Sequence, residues 1–519
     1  METNDIYVLL AMLLYALVII GISVFYARRA NSSSEEFLLG GRKLGPWVSA
    51  MSAEASDMSG WLLMGLPGVA YFLGASDAIW TAIGLALGTY LNWRFVAKPL
   101  RKYSEKVGAI TIPDFFSNRF HDKKKVLMTV ASLLILVFFS IYVGSCFVAT
   151  GKLLNALFGW DYFAMVLVGG VLVFAYTLLG GFIGESVSDL VQGFVMVISL
   201  IIVLIGGVAM AGGIDQIVAF VQSIPGFASL TEIASPVLDD TGTQAVVAGV
   251  PQFAEPGEYG LIAIVSAMAW GLGYFGMPQV LLRFMAIRST REIGRARRIA
   301  TTWCVISLFC AVTIGLVGRS LMPADLLSAS SAETVFIALS TLLLPAFLAG
   351  IMMSGILAAT MSSSDSYMLI ASSAVSRNLF KGLFKKDATD KQVMVVTRCT
   401  MVVILLFGIL VAADENSQIF QVVAYAWAGF GAAFGPVMLC SLFWRRTNLP
   451  GALAGMLAGG ASIIIWRNFI KPLGGVFGIY ELLPGFIIGL VALVVVSLVT
   501  KPPSQEILKD FDTYKKLNV

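Results

Sequence analysis

The sequence predicts an all-α membrane protein of thirteen transmembrane helices, forming a single domain over residues 1–519. Its residues are 58% hydrophobic and only 13% charged, whereas soluble chains are about half apolar and about a quarter charged. A helix needs about 20 apolar residues to cross the hydrocarbon core of a bilayer. Such runs cover residues 6–27, 46–73, 78–98, 125–153, 161–184, 189–212, 259–284, 300–320, 345–380, 393–414, 418–444, 450–469 and 480–499.

The loops between these runs alternate in basic content, which predicts the orientation. One set carries Lys and Arg, as at Arg42, Arg101 and Arg288, whereas segment 213–258 on the other side has acidic residues and no Lys or Arg. Basic loops stay in the cytoplasm. We therefore expect a multi-pass protein of the cell membrane with its N-terminus outside and its C-terminus inside.

Two runs contain signals that interrupt a helix. The second run reads SAEASDMSGW over 52–61 and GLPG over 65–68, and the seventh reads WGLGYFGMP over 270–278. Each is the first of five runs, over about 46–212 and about 259–444, so the two groups have opposite orientations. Interrupted segments at corresponding positions indicate the binding site of a secondary transporter. The alternative is close helix packing at small residues.

The remaining runs, 6–27, 450–469 and 480–499, are additional helices outside these two groups. The first is too long for the apolar region of a signal peptide, and no cleavage pattern follows it, so we expect it to be retained.

Asp57 lies inside the interrupted second run. An ionisable group at this depth is costly and marks a functional site by default, and its carboxylate suits a hard cation or a substrate ammonium. The alternatives are a partner for a buried arginine or a helix cap. Glu54, one turn earlier, is left open between a functional and a structural role.

One face of the ninth run carries small and hydroxyl residues. Ala359, Ser362, Ser363 and Ser366 are spaced i, i+3, i+4 and i+7, which places them together on a helix. Their oxygens are suitable sodium ligands, although serine in membrane helices often bonds to its own preceding turn. The neighbouring Asp365 favours the functional reading.

Asp189 opens the sixth run, either as a helix N-cap or as a second cation ligand. Four aromatic residues are candidates for the wall of a ring-sized pocket, although packing or interfacial anchoring is the common role of such side chains in membrane helices. They are Trp61, Tyr142, Trp270 and Tyr274.

Other chemistries find little support in the sequence. A GxxxxGK[ST] phosphate loop is absent, the single histidine, His121, lies in a basic loop, and the five cysteines are predicted to be buried free thiols. We expect neither an enzyme nor a nucleic-acid-binding protein, and no obligatory protein partner beyond the lipid bilayer.

Five motifs of this chain resemble those of the sodium/solute symporter family, and within it the sodium/proline symporters, and the resemblance covers essentially the whole chain. They are Leu39–Gly45, Ala55–Gly68, Trp270–Pro278, Ala359–Ser363 and Tyr425–Pro436.

The resemblance implies a leucine-transporter-type inverted repeat of five plus five helices and sodium-coupled import of L-proline by alternating access. It also implies that Asp57 is critical for sodium-coupled binding. The implied sodium site combines the carbonyls of Ala55, Met58 and Ala359 with the hydroxyls of Ser362 and Ser363.

The resemblance implies further roles for individual residues. Arg42 and Asp189 match positions linked to coupling and to the inward ion path, and Glu54 stands where a small residue is expected. Proline is expected to pack near Trp61, Tyr142, Trp270, Tyr274 and Pro278. A second sodium site would use Asp189, Ser362 and Ser366, with Asp365 nearby.

Alternatives to this function are a sodium-coupled symporter for another small solute, a channel, or a membrane sensor. A channel would accumulate nothing against a gradient, and a sensor would need an output domain that the short polar tail over 500–519 lacks.

The predicted orientation can be tested by labelling with a membrane-impermeant maleimide. In a chain whose native cysteines are replaced by serine, Asp240→Cys should react in intact cells, because segment 213–258 is predicted outside. Lys516→Cys should react only after permeabilisation, which also provides the control that both thiols are reactive. The reverse pattern would overturn the orientation.

Overall fold

Helices form nearly all of the regular structure in the computed structural model, which describes residues 3–30 and 39–517. Inside a bilayer a helix satisfies its own backbone polar groups, which favours this outcome for apolar runs. The first helices are α1 (Thr3–Ala30), α2 (Pro46–Asp57), α3 (Leu66–Leu73), α4 (Ala75–Leu91), α5 (Ala97–Lys106), α6 (Ile112–Arg119), α7 (Val126–Phe158), α8 (Tyr162–Met210) and α9 (Ile214–Ser223).

The remaining helices follow a short segment of strands. They are α10 (Leu261–Met268), α11 (Pro278–Ala286), α12 (Ile293–Leu321), α13 (Ala329–Ala332), α14 (Val335–Leu343), α15 (Ala346–Ser373), α16 (Asp390–Val411), α17 (Ile419–Phe443), α18 (Leu449–Ile465), α19 (Leu482–Val499) and α20 (Gln505–Tyr514).

Short 3-10 or π-helical segments extend or connect these helices. They are Gly40–Arg42, Trp61–Gly65, Asn92–Val96, Ala269–Phe275, Ala374–Phe384, Trp466–Ile470, Lys471–Leu473 and Gly475–Gly478. Four strands interrupt the all-helical prediction: β1 (Glu232–Pro236), β2 (Val246–Val247), β3 (Val250–Pro251) and β4 (Phe253–Glu258).

The strands form two antiparallel pairs, β1 with β4 and β2 with β3, within the acidic segment 213–258. The prediction of an all-α chain is therefore wrong for this segment. Its Val and Pro residues and its turns at Gly242 and Gly249, both with positive φ, favour short hairpins over a helix.

Local signals in the sequence explain where several helices begin. The side chain of Asp161 accepts a hydrogen bond from the backbone of Ala164 at 2.8 Å at the start of α8. Asn448 caps α18 in the same way, accepting from Gly451 at 2.9 Å. Each cap satisfies a donor that the first helical turn leaves without a partner.

Every predicted apolar run coincides with helical structure, but the runs and helices do not correspond one to one. The second and seventh runs each contain two α-helices, and the fifth and sixth share Tyr162–Met210, so a count of thirteen separate helices is not confirmed. In the part of the chain that the structure describes, nine helices are long and apolar enough to cross a membrane, and a tenth span results if Leu261–Phe275 and Pro278–Ala286, bent by 43°, are counted as one. The structure thus supports a polytopic helical membrane protein with nine to ten clear spans.

The boundary between the fifth and sixth runs lies earlier than predicted. Tyr162–Met210 is continuous apart from Gly181, whose φ of 54° breaks the regular helix. Asp189 therefore lies inside a helix, and its interpretation as an N-cap is wrong. A glycine tolerates this left-handed conformation, which explains why the break falls there.

The prediction of five buried cysteines is correct for four. Cys399 is exposed on α16, because this helix packs against α7 and leaves its other face uncovered by protein.

Helix α15 lies in the middle of the bundle, packed against α1, α2, α7 and α8. Every residue from Met352 to Ser373 along α15 is buried. The hydroxyl face predicted on the ninth run therefore faces other helices rather than lipid.

The C-terminal helix α20 packs against α5 and the end of α17. The ring of Tyr514 stacks on that of Tyr103 with centroids 4.2 Å apart, and its hydroxyl donates to the Leu442 carbonyl at 2.6 Å. Arg445 and Asp512 form an exposed ion pair at 2.9 Å. Burial raises the pKa of Tyr514 to about 12, so this hydroxyl remains a donor at physiological pH.

Close backbone contact between α4 and the segment Ala269–Phe275 provides a test of the packing. A Cβ atom at Gly271 would overlap the carbonyl oxygen of Gly84, whereas nothing lies within 4 Å of a Cβ at Gly294. We expect Gly271→Ala to destabilise the protein by about 1–3 kcal/mol through overpacking. Gly294→Ala, the matched control, should be neutral or slightly stabilising. Thermal unfolding in detergent measures both, and equal midpoints would contradict the contact.

Candidate functional site

The chain break after α2 frees a backbone carbonyl in the middle of the bundle. In a regular helix the carbonyl of Ala55 would accept from the backbone N–H of Ser59. That N–H instead donates to the carbonyl of Asp57 at 3.0 Å, while Met58 takes a non-helical conformation with φ −83° and ψ 73°. The Ala55 oxygen is therefore available to partners outside its own helix.

Hydroxyls from α15 approach this free carbonyl. Ser362 Oγ donates to the Ala55 oxygen at 2.7 Å and lies 3.2 Å from the Ala359 oxygen. Ser363 Oγ lies 3.4 Å from the same Ala55 oxygen. Four of the five predicted sodium ligands thus meet between α2 and α15, and the fifth, Met58, forms the break itself.

The close approach of the two helices depends on Gly60. A Cβ at this position would overlap the Cβ of Ala149 and touch Thr360. Glycine permits α2 and the following π-helical turn to lie against α7 and α15, which brings the free carbonyl to the hydroxyls.

Asp57 connects the two interrupted segments. Its side chain is fully buried, and its Oδ1 accepts from Gln279 Nε2 at 3.2 Å. Among the described residues, Asp57 Oδ2 has no hydrogen-bond partner. Gln279 follows Pro278 in the first turn of α11. A buried carboxylate with one oxygen free is suited to a cation or an ammonium group.

Aromatic side chains form a wall beside this carboxylate. The ring centroids of Trp61 and Trp270 are 6.1 Å apart, and Trp270 stacks on Tyr480 at 5.0 Å. Tyr274 makes an edge contact with Trp427 at 5.0 Å. The structure therefore brings predicted residues from both interrupted segments into one aromatic group.

The other two predicted substrate residues, Tyr142 and Pro278, are not among these ring contacts. Tyr142 packs against Tyr367 with ring centroids 4.4 Å apart, and its hydroxyl has no partner among the described residues. Pro278 begins α11 and lines a small cavity with Thr111 and Leu369. It therefore sets the direction of α11, while Gln279 reaches Asp57.

A cavity of about 900 Å³ leads to the aromatic wall from one end of the bundle. Trp270 and Tyr480 lie at its base, and Asp77, Glu258 and Lys471 line its sides. This end also carries the acidic segment 213–258, so the aromatic wall is reached from the acidic side.

The opposite, basic end is closed by loop contacts. The guanidinium of Arg42 donates to the carbonyl of Ala109 at 2.6 Å and to that of Met285 at 2.8 Å. Leu44 exchanges backbone hydrogen bonds with Ala286 and Arg288, at 3.2 and 2.9 Å. These contacts seal the end of α11 against the loop before α2.

Arg283 is a fully buried cation that the sequence reasoning did not single out. Its Nη2 pairs with Glu185, donates to Ser366 Oγ at 2.8 Å and lies 3.3 Å from Asp189 Oδ2. Its Nε donates to Ser52 Oγ at 2.9 Å. Two of the residues predicted for a second sodium site, Asp189 and Ser366, therefore surround a guanidinium, and that site stays a prediction.

Asp365 lies near the carboxylates around Arg283 and lines a small cavity with Glu185, whereas Glu54 lies apart from them. Asp365 Oδ1 accepts from the backbone N–H of Ser366 at 2.7 Å. Glu54 Oε1 accepts from the indole of Trp93 at 3.3 Å. Glu54 therefore faces the π-helical segment Asn92–Val96 rather than the hydroxyls of α15.

Several site residues were missed, and of these only Trp427 lies in one of the motifs quoted for the family resemblance. Gln279 follows the proline of the seventh run directly, and Arg283 is a charge inside that run, which should have drawn attention. Glu185 fell in the loop predicted between two runs. Trp427, whose indole donates to the Trp270 carbonyl at 2.8 Å, looked like ordinary packing.

Comparisons with known proteins identify relatives over nearly the whole chain. The chain is 41% identical to the high-affinity proline transporter PutP of Bacillus subtilis over 493 residues, which cover 95% of this chain and 98% of that relative. It is 40% identical to the sodium/proline symporter of Escherichia coli over 503 residues, which cover 96% and 94%.

A solved structure shares the fold. The substrate-bound outward-open state of a Na⁺-coupled sialic acid symporter superimposes with a TM-score of 0.74 at 19% identity, covering 96% of this chain and 99% of that one. The interrupted helices, the buried oxygens and this fold define a membrane transporter of the symporter class. Residues 37–459 match the model of the sodium:solute symporter family. The chain belongs to that family.

Proposed function

We propose that this protein is a sodium-coupled symporter that imports L-proline across the cell membrane by alternating access. The single observation that carries the proposal is the contact between the freed Ala55 carbonyl and Ser362, which collects neutral oxygens from two helices. The names of the relatives, sodium/proline symporter and proline transporter, supply the substrate.

The proposed sodium site consists of the carbonyls of Ala55, Met58 and Ala359 and the hydroxyls of Ser362 and Ser363. Sodium is a hard cation that prefers oxygen ligands, as calcium and magnesium do. In the structure the hydroxyl of Ser362 donates a hydrogen bond to the Ala55 carbonyl. On ion binding this hydroxyl would turn, so that both oxygens point their lone pairs at sodium.

The proposed substrate site lies between the two interrupted segments. The free oxygen of Asp57 provides negative charge near the ammonium of proline or near sodium, and Trp61, Trp270 and Tyr274 provide apolar faces for the pyrrolidine ring. An aromatic face excludes water from the ring and also attracts a cation. Tyr142 and Pro278 complete the proposed site.

The closed basic end and the open cavity at the acidic end support an outward-facing arrangement. In this proposal the basic end is cytoplasmic, Arg42 belongs to the inner seal, and the N-terminus lies outside. The thirteen runs form a leucine-transporter-type inverted repeat over about 46–212 and 259–444, with one additional helix before it and two after it.

Transport would begin with sodium, which holds α2 against α15, followed by proline at the aromatic wall. The inner seal at Arg42 would then open as the outer cavity closes. One charge moving inward gains about 2.3 kcal/mol per 100 mV. One sodium per zwitterionic proline therefore supports a gradient of roughly fifty-fold at that potential, before the sodium gradient is added.

The sodium site is tested by removing one hydroxyl. Ser362→Ala should raise the sodium concentration for half-maximal proline uptake by about tenfold or more, since a hydrogen-bonding partner of a charged group is worth about 1.5–3 kcal/mol. Ser364→Ala is the matched control, because Ser364 Oγ donates within its own helix to Thr360. The control should stay within about threefold.

The measurement is uptake of labelled proline into proteoliposomes with sodium, lithium or protons as the only gradient. An unchanged sodium requirement in Ser362→Ala would contradict the site. Competition by other small solutes tests the identity of the substrate. A solute that inhibits the uptake of labelled proline more strongly than unlabelled proline does would show that proline is not the preferred substrate.

Asp57 is tested by removing its charge while keeping its shape. Asp57→Asn retains an oxygen for Gln279, so thermal stability should change little, while sodium-driven proline uptake should fall by about ten- to a hundredfold. Asp77→Asn is the control, because this carboxylate accepts from Tyr259 at the cavity edge. Equal losses in both variants would show that Asp57 has no special role.

A further inference from the structure

A second cluster of oxygens lies about one helical turn from the proposed sodium site. Ser52 precedes Ala55 by three positions on α2, and Ser366 follows Ser363 by three positions on α15. A displacement of three residues along a helix is about 4.5 Å. In α2 and in α15 alike it leads toward the basic end, because the two helices run in opposite directions. The same two helices thus carry both clusters.

The second cluster is more acidic than the first. Ser52 Oγ donates to Asp189 Oδ2 at 2.6 Å, and Ser366 Oγ donates to Glu185. All four side chains are buried. Two carboxylates and two hydroxyls, drawn from α2, α8 and α15, form a set of oxygens that would attract a cation strongly if none were present.

A side chain of the protein already supplies that cation. Arg283 reaches the cluster from α11 and contacts all four members, Ser52 and Ser366 by hydrogen bonds of 2.9 and 2.8 Å. Its Nη1 donates to the carbonyl of Gln279 at 3.3 Å. The guanidinium is completely buried, and arginine keeps its proton under all physiological conditions.

We propose that Arg283 is a tethered cation that occupies the second oxygen cluster and limits coupling to one sodium per transported substrate. Its Nη2 already lies among Glu185, Asp189 and Ser366, so a sodium ion in this cluster would have to share those oxygens with a positive guanidinium, and like charges repel. This inference rests on the proposed sodium-driven uptake and specifies its ratio.

The position of Arg283 on α11 explains why the limit of one sodium per substrate would hold throughout the transport cycle. Arg283 lies four residues after Gln279 on α11, the helix that also contacts Asp57. Its partners lie on α2, α8 and α15. A cation fixed by its side chain moves with α11 and is not released, so it offsets one carboxylate charge without contributing a charge to transport.

The charge ratio can be read from the membrane potential that stops net transport. Proteoliposomes containing the full chain would hold equal sodium on both sides and ten times more proline inside than outside, with the potential set by potassium and valinomycin. Net proline flux should vanish near an inside-negative potential of about 59 mV if one charge moves with each proline. Two charges would give about 30 mV.

The wild-type protein should reverse near 59 mV with a Hill coefficient of one for sodium. A wild-type reversal near 30 mV overturns the proposal. Arg283→Gln should move the reversal toward 30 mV and raise the Hill coefficient above one, because the vacated oxygens then accept a second sodium. Arg283→Lys retains the charge and should keep the wild-type ratio.

Net proline flux through Arg283→Gln could also reverse at the wild-type potential, or at a potential that depends on pH and not on sodium. In either case Arg283 does not exclude a second sodium, and the proposal is wrong. Loss of a buried charge partner can be strongly destabilising. If Arg283→Gln fails to fold, the wild type and Ser366→Ala together test the proposal. Ser366→Ala is suitable because it removes an oxygen from the second cluster only.

Ser366→Ala should leave the reversal potential and the Hill coefficient at the wild-type values, whereas a chain that used this cluster for sodium would lose cooperativity. These outcomes remain separate from failure of the proposed function. Absence of any sodium-driven proline uptake refutes the function, while uptake with two charges refutes only the role of Arg283.

Discussion

Backbone carbonyls inside a bilayer have no bulk water to accept from, and the turn after Asp57 leaves the Ala55 carbonyl without its helical donor. Ser362 provides that donor from α15, at 2.7 Å. The position of α2 relative to α15 therefore depends on a hydrogen bond that an ion can replace. Asp57, the aromatic wall and the cavity above it are all arranged around the same break, so their geometry depends on how this carbonyl is satisfied.

The two clusters of oxygens along α2 and α15 differ in charge. The first cluster is built from neutral oxygens with Asp57 nearby, whereas the second contains the carboxylates of Glu185 and Asp189, both of which pair with Arg283. A mobile cation can leave neutral ligands more easily than it can leave carboxylates. In the proposed cycle, a neutral site that releases its ion is therefore combined with a permanent ion pair that holds α11 to α8.

Much of the fold was accessible from sequence because bilayer thickness imposes a length on each apolar run, and because Gly and Pro mark the interruptions near Asp57 and Trp270. The hydroxyl face of α15 followed from helical periodicity. The partners of Asp57 and Asp189 did not, since Gln279 and Arg283 reach them from a helix more than ninety positions away. The Gly181 kink was misplaced because the polar residues that follow it, Glu185 to Asp189, indicated a loop but lie inside the helix.

The stacking of Tyr514 on Tyr103 has a consequence for how the protein is handled and degraded. Clipping the chain before α20 would bare a flat aromatic surface and leave Arg119 without the Phe511 ring beneath its guanidinium. Such a surface favours self-association and recognition by proteases. An affinity tag fused to the C-terminus would begin within a few residues of this stack in the sequence, so a spacer or an N-terminal tag is preferable.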